Sequence, residues 1–221
     1  MTRQAFFFDF DGVLADSVNV KTVAFSQLFA EYGPGIQAKV AAHHLANGGM
    51  NRFDKFRFYS REFLGRELDD AGLDDLCRRF AALVVDGVVQ APEIPGATDF
   101  LRRCRDIPCF VVSATPQEEI REICRRRGLA GFFRDILGAP ENKAAHVRGL
   151  LAAHGFDPAR CAFFGDAGSD LAAAKANGVP FIAILPGPDA PLLAQAPDVA
   201  WYRDFRVLPE AVAFPTQEDI A

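Results

Sequence analysis

Asp9 and Asp11 stand one residue apart ahead of Gly12, and Asp166 and Asp170 bracket Ala167-Gly168-Ser169 after Gly165. Between these pairs lie Ser113 and Lys143. A lone Asp beside a Gly is ordinarily a turn residue, since its carboxylate bonds nearby backbone N–H groups. Four carboxylates gathered at one crevice are different, because their mutual repulsion calls for a cation. Hard oxygen ligands of this kind select magnesium, which keeps several waters and is often completed by a substrate phosphate. Lys143 can reach the same crevice and add positive charge, and Ser113 adds a hydroxyl.

Each group follows a stretch that reads as a buried strand. Ala5–Phe10 is apolar until it breaks at Asp9-Phe10-Asp11-Gly12, and Pro108–Ser113 ends on the serine. Cys161–Phe164 ends in Gly165-Asp166, and Pro180–Leu185 is a further apolar run. Uninterrupted apolar runs of this length fit strands covered on both faces, as in a parallel sheet. Helical patterns alternate with them: one from Thr115 to about Arg127, one over Asn142–His154 bearing Lys143, and one over Leu171–Ala176. Thr115-Pro116-Gln117-Glu118 reads as a capping box that opens the first of these, with Gly128 closing it. The expectation is a doubly wound, Rossmann-like α/β core, whose ligands gather at the carboxyl ends of the strands.

Residues from Ser17 to about Val89 have helical spacing and contain no convincing strand. Val20, Val23, Ala24, Phe25, Leu28 and Phe29 share one face until Gly33-Pro34-Gly35 stops the run, and further helices are expected over about 51–64 and 70–89. The predicted organisation is therefore a core of residues 1–16 and 92–221 with an all-helical insert, 17–91. A chain of 221 residues is long for one small domain and short for two large ones, which suits a core plus an insertion.

Composition excludes several function classes. Half of the residues are hydrophobic and 24% are charged, ample for a packed core and incompatible with a disordered chain. The formal net charge of −5 argues against nucleic-acid binding, which needs a basic face. No run approaches the roughly 18 apolar residues of a membrane span, and the first residues read as a strand rather than a leader. The five cysteines are odd in number and contain no CxxC, so reduced thiols and a cytoplasmic location are expected. A monomer or a homodimer is expected.

Asp9-Phe10-Asp11-Gly12-Val13-Leu14, Ser113, Lys143 and Gly165-Asp166-Ala167-Gly168-Ser169-Asp170 resemble, in order, the four motifs of the haloacid dehalogenase superfamily. The resemblance spans the whole chain, and in that family a helical insert after the first strand is a substrate-specificity cap. It implies that Asp9 is a nucleophile that becomes an aspartyl-phosphate, splitting one displacement into two. Asp11 is then the general acid and base. The Asp9 carboxylate, the Asp11 backbone carbonyl and Asp166 hold magnesium, with Asp170 supporting them. Ser113 and backbone N–H groups around Phe10, Asp11 and Ala114 bind phosphoryl oxygens, and Lys143 balances charge. Family branches that cleave carbon–halogen or carbon–phosphorus bonds lack an Asp two residues after the nucleophile. Asp11 therefore implies phosphate-ester chemistry on a small phosphorylated metabolite, a sugar phosphate or a phosphoglycolate-like acid. A phosphomutase of the β-phosphoglucomutase type is the alternative.

The insert carries the remaining candidates. Within residues 36–66, six basic residues (Lys39, Arg52, Lys55, Arg57, Arg61, Arg66) face two acidic ones (Asp54, Glu62), a net of +4 in an acidic chain. Asn47–Arg52 resembles the Gly-x-x-Arg loop of phosphoglycolate phosphatase and β-phosphoglucomutase caps, which makes Gly49, Arg52 and Lys55 candidate substrate contacts. Lys21 falls where β-phosphoglucomutases carry a His, which disfavours the mutase and leaves Lys21 to contact an anion or hydroxyl. Solvated faces are the simpler expectation for Lys39, Arg61 and Arg66, and structural roles for His43, His44, His146 and His154. Thr115 is expected to act as a helix cap. The segment Trp201–Ala221 shows no chemistry.

Overall fold

The computed structural model describes residues 3–214. Six parallel strands form one sheet in the order β3-β2-β1-β4-β5-β6, as expected for a doubly wound core. The first strand, β1 (Ala5–Phe8), is central, pairing with β2 (Cys109–Pro116) on one side and β4 (Cys161–Gly165) on the other. Its continuous apolar run has the reason anticipated: Phe6 and Phe8 enter the core on one face, Ala5 and Phe7 that on the other. Phe8 stacks on Phe164 of β4 with ring centroids 4.9 Å apart, so the abundant phenylalanines fill the interlayer space.

Between β1 and β2 the described residues form helices: α1 (Val18–Leu28), α2 (Pro34–Ala46), α3 (Arg52–Phe58), α4 (Asp70–Gln90) and α5 (Ala97–Arg103). A single π-helical turn, Tyr59–Phe63, extends α3. Pro34 opens α2 rather than ending a helix; its fixed φ and missing N–H suit a first helical position, and α1 has already stopped at Leu28. Phe25 of α1 packs on Phe56 of α3 and Phe80 of α4, with centroids 5.4 and 4.2 Å away, forming the apolar centre of this helical layer.

After β2 come α6 (Gln117–Arg126), β3 (Asp135–Ala139), α7 (Lys143–His154), β4, α8 (Gly168–Ala176) and β5 (Phe181–Ile184). The final strand is β6 (Trp201–Tyr202). Two strands escape the sequence reading, β3 and β6, and both lie at the edges of the sheet. The Asp135–Ala139 strand opens on a charged residue and its apolar stretch is cut at once by Pro140 and Glu141, so it is too brief to stand out. Of the C-terminal segment in which no chemistry was expected, Trp201–Tyr202 is this edge strand, and residues 215–221 lie outside the described residues.

The capping-box reading of Thr115 is corrected. Strand β2 runs through Thr115 to Pro116, with a register irregularity between Val112 and Pro116, and α6 starts at Gln117 without a side-chain cap. Thr115 is thus a strand residue, and Ser113 lies within β2 rather than at its end. No helix among the described residues is long and apolar enough to cross a membrane. All five cysteines are free thiols.

Candidate active site

The chain runs outward from β1 through β2 to β3 on one side and then from β4 through β5 to β6 on the other. The crevice between the carboxyl ends of β1 and β4 is therefore the topological switch point, where a doubly wound sheet binds ligands. The register Phe8↔Phe164 places Asp9 and Asp166 at the mouths of these adjacent strands. The turn between them admits only glycine. Gly12 has φ of +80°, and a Cβ there would lie 2.2 Å from Asp166 Oδ2.

Lys143 is set by its helix start. Asn142 caps α7 by accepting the Ala145 N–H at 2.9 Å, which places Lys143 in the first helical position. Its Nζ lies 2.9 Å from Asp9 Oδ1 and 2.6 Å from Asp170 Oδ1, and all three side chains are almost wholly buried. Asp170 also accepts the Ala167 and Asp166 N–H groups at 3.1 and 3.3 Å, so it anchors the turn and the lysine together. Burial, with Lys143 only partly opposing it, pushes the Asp9 carboxyl up to about 7. Burial and the proximity of Asp9 hold Asp166 well above the usual carboxylate range. Buried between these two acids, Lys143 keeps its proton more firmly than an ordinary lysine.

Carboxylate oxygens of Asp9, Asp166 and Asp170 lie within 4.8 Å of one another. Asp170 is committed to Lys143 and the backbone, which leaves Asp9 and Asp166 as the pair with oxygens to give. Two crowded carboxylates, one buried and one half-buried, that cannot both ionise comfortably fit a hard divalent cation such as magnesium.

Asp11 has a different environment. Ser17 Oγ donates to it at 2.6 Å, and Lys21 of α1 forms an ion pair with its other oxygen. The Thr115 hydroxyl accepts from Lys21 at 2.8 Å and lies 3.3 Å from the same Asp11 oxygen. Burial alone would raise the Asp11 carboxyl, but Lys21 and Ser17 together bring it below the ordinary range. Two acids one residue apart thus have opposite proton affinities, the pattern expected where acid and base tasks are divided. Neither the Thr115 nor the Ser17 contact was legible in the sequence.

The helical layer closes over these groups. A small cavity of about 50 Å³ is bordered by Asp9, Asp11 and Asp166 from the core and by Lys21, His44, Arg52 and Lys55 from the helices. Ala114 also lines it, while Ser113, Lys143 and Gly49 border an adjoining space of about 410 Å³. The Phe10 side chain is buried in the core, so only its backbone is left for a ligand. Gly49, between α2 and α3, packs on the first turn of α8: a Cβ there would fall 1.6 Å from Ser169 Oγ.

Arg52 and Lys55 are not solvated; they are 5% and 1% exposed. Arg52 makes a two-pronged ion pair with Glu119 of α6, at 2.8 and 2.6 Å, and covers the Phe80 ring at 4.6 Å. Lys55 Nζ lies 2.7 Å from His44 Nδ1. His44 therefore faces the cavity instead of serving structure alone, whereas His43 stacks on Phe58 and His146 bonds the Gly138 carbonyl. Lys39, Arg61 and Arg66 are exposed as expected.

Known proteins resemble this chain in sequence and in fold. A phosphoglycolate phosphatase from Pseudomonas putida is 28% identical over 94% of this chain and 79% of its own length. One from Rhodospirillum rubrum is 28% identical over 96% and 92% respectively. The crystal structure of β-phosphoglucomutase from Clostridium difficile superposes with a TM-score of 0.77 at 17% identity, covering 98% of this chain and 96% of that one. The family model for haloacid dehalogenase-like hydrolases matches residues 4–178, a span that contains every core acid described above. With well over half of its length matched, the chain belongs to the haloacid dehalogenase-like hydrolases.

Proposed function

We propose that this phosphoric monoester hydrolase is magnesium-dependent, works through an aspartyl-phosphate on Asp9, and acts on a small phosphorylated acid of the phosphoglycolate kind. The observation that carries the reading is the asymmetry of the two acids. Asp9 is held by Lys143 with one oxygen toward the cavity, and Asp11 beside it is kept ionised by Lys21. In this reading Asp9 attacks phosphorus, and Asp11 exchanges the proton with the leaving oxygen and then with the hydrolytic water. Ser113 and the backbone around Ala114 hold phosphoryl oxygens, while Lys143 offsets the charge that builds on Asp9. Asp9, Asp166 and the Asp11 carbonyl would hold magnesium, which when bound supplies charge neutralisation between nucleophile and phosphate.

Residues 17–91 serve as the cap and 1–16 with 92–221 as the catalytic core. The cavity between core and helices is small, so substrate entry requires the helical layer to lift from Ser169 and Glu119 and close again, excluding water during transfer. Phosphoglycolate phosphatases among the relatives favour a short phosphorylated acid. The test is phosphate release from phosphoglycolate, sugar monophosphates and an aryl phosphate, with magnesium and with a chelator. Metal-dependent release favouring the short acid is expected. Activation by a sugar bisphosphate, with phosphate retained on the product, would replace the phosphatase by a mutase.

A further inference from the structure

Three cations of the helical layer border the cavity, and two of them are spoken for. Lys21 is neutralised by Asp11, and Arg52 by Glu119. Lys55 has no ion pair with any carboxylate among the described residues, although only 1% of it is exposed. Its sole hydrogen-bond contact is His44 Nδ1 at 2.7 Å, and the face of Phe25 lies 5.4 Å from its Nζ. A lysine is almost never fully buried without a counter-charge, because the ammonium loses its hydration and gains nothing in return.

We propose that Lys55, held in place by His44, is the specificity-determining residue of the site and receives a carboxylate on the leaving-group side of the phosphoester. The inference rests on the phosphatase reading above and names the group that recognises the substrate's far end. His44 is suited to the positioning part. Burial and the nearby Lys55 hold its ring down to about 3, so it stays neutral, and its Nδ1 can accept from the ammonium. Its Nε2 is buried without a hydrogen-bond partner of good geometry, with the Val18 backbone alongside. The pair therefore aims the ammonium into the space shared with Asp9 and Asp166, rather than neutralising it.

The number of uncommitted donors chooses between anions. One ammonium backed by a neutral imidazole matches a carboxylate, whereas a second phosphate would need more donors than Lys55 supplies while Lys21 and Arg52 are paired with Asp11 and Glu119. Phe25 and Phe80 wall the same cavity and offer apolar contact to the short carbon chain between the two anionic ends.

The test compares kcat/KM for phosphoglycolate, ethyl phosphate and a sugar bisphosphate in wild type, Lys55→Met, Lys55→Arg and His44→Phe. Wild type should prefer phosphoglycolate over ethyl phosphate. Lys55→Met should shrink that preference at least tenfold, mainly through KM, the loss expected when one charged contact to substrate is removed. His44→Phe should shrink it less, and Lys55→Arg should recover part of it. Using a ratio between two substrates removes general damage to the enzyme, and Lys55→Gln replaces Lys55→Met if that variant does not fold. An undiminished preference in the Lys55 variants overturns the proposal, as does a wild-type preference for the bisphosphate. Hydrolysis of ethyl phosphate in those cases leaves the phosphatase reading standing; release from no phosphoester by wild type would end both.

Discussion

A buried ammonium without a counter-charge should weaken the fold, and Lys55→Met measures by how much. Burial, with Lys21 adding repulsion, brings the lysine from its ordinary 10.5 down to about 7. At 1.36 kcal/mol per pH unit, carrying the charge into the fold costs about 4–5 kcal/mol below pH 7. The side chain is almost wholly buried, so solvent does not screen this cost. Between pH 7 and 10.5 the unfolded chain holds the proton and the folded chain does not. In that window wild-type stability therefore gains about 1.4 kcal/mol per pH unit from this residue, and the cost vanishes above 10.5. Met keeps the volume and removes the charge. Urea denaturation of both proteins in chelator should show the advantage of Lys55→Met over wild type larger by about 4 kcal/mol at pH 6, and by about 2 at pH 9, than at pH 10.5, where only the loss of the His44 Nδ1 contact separates them. The acids at the site are present in both proteins, so their titration largely cancels in the difference. A variant no more stable than wild type at pH 6, or a gap that ignores pH, would refute the reasoning. Stability gained alongside selectivity lost is the signature of a residue kept for function.

Two other perturbations test how the helical layer closes. Gly49→Ala puts a methyl into Ser169, so kcat/KM should fall about tenfold or more with little change in the denaturation midpoint. Adding Ser169→Gly should restore most of the loss; a double variant as poor as Gly49→Ala would dismiss the contact. For Arg52 and Glu119, a double-mutant cycle on unfolding with Arg52→Met and Glu119→Gln should give a coupling of about 1–3 kcal/mol, since the arginine is buried and the pair two-pronged. A coupling near zero would make this ion pair incidental to holding the layer down.

The core and its acids were legible because their signals are local. Strands β1, β2, β4 and β5 are covered on both faces and so read as apolar runs, and Asp9, Asp11, Asp166 and Asp170 follow directly upon them. At the edges the apolar stretch of β3 is only four residues long and β6 is two residues, too brief to stand out. Thr115-Pro116-Gln117-Glu118 was misleading for the same reason: its pattern is that of a helix start, but Lys21, 94 residues away, engages the hydroxyl while pairing with β3 continues to Pro116. Arg52 and Lys55 look like surface cations on any short helix. Their burial depends on Glu119, Phe80, His44 and Phe25, which only the packing of α1–α4 over β2 and α6 brings together. Composition cannot announce that one cation in a basic patch is neutralised within the fold and its neighbour is not.

Phosphate release from phosphoglycolate by wild type and Asp9→Asn, each with magnesium and with chelator, tests the central claim most directly. The substitution keeps the shape of a buried side chain and removes the nucleophilic oxygen, and near-UV circular dichroism would confirm an intact core. Release only from the wild-type protein with magnesium is the predicted result. Substantial release by folded Asp9→Asn, or undiminished release in chelator, would contradict the assignment of Asp9 as a metal-assisted nucleophile.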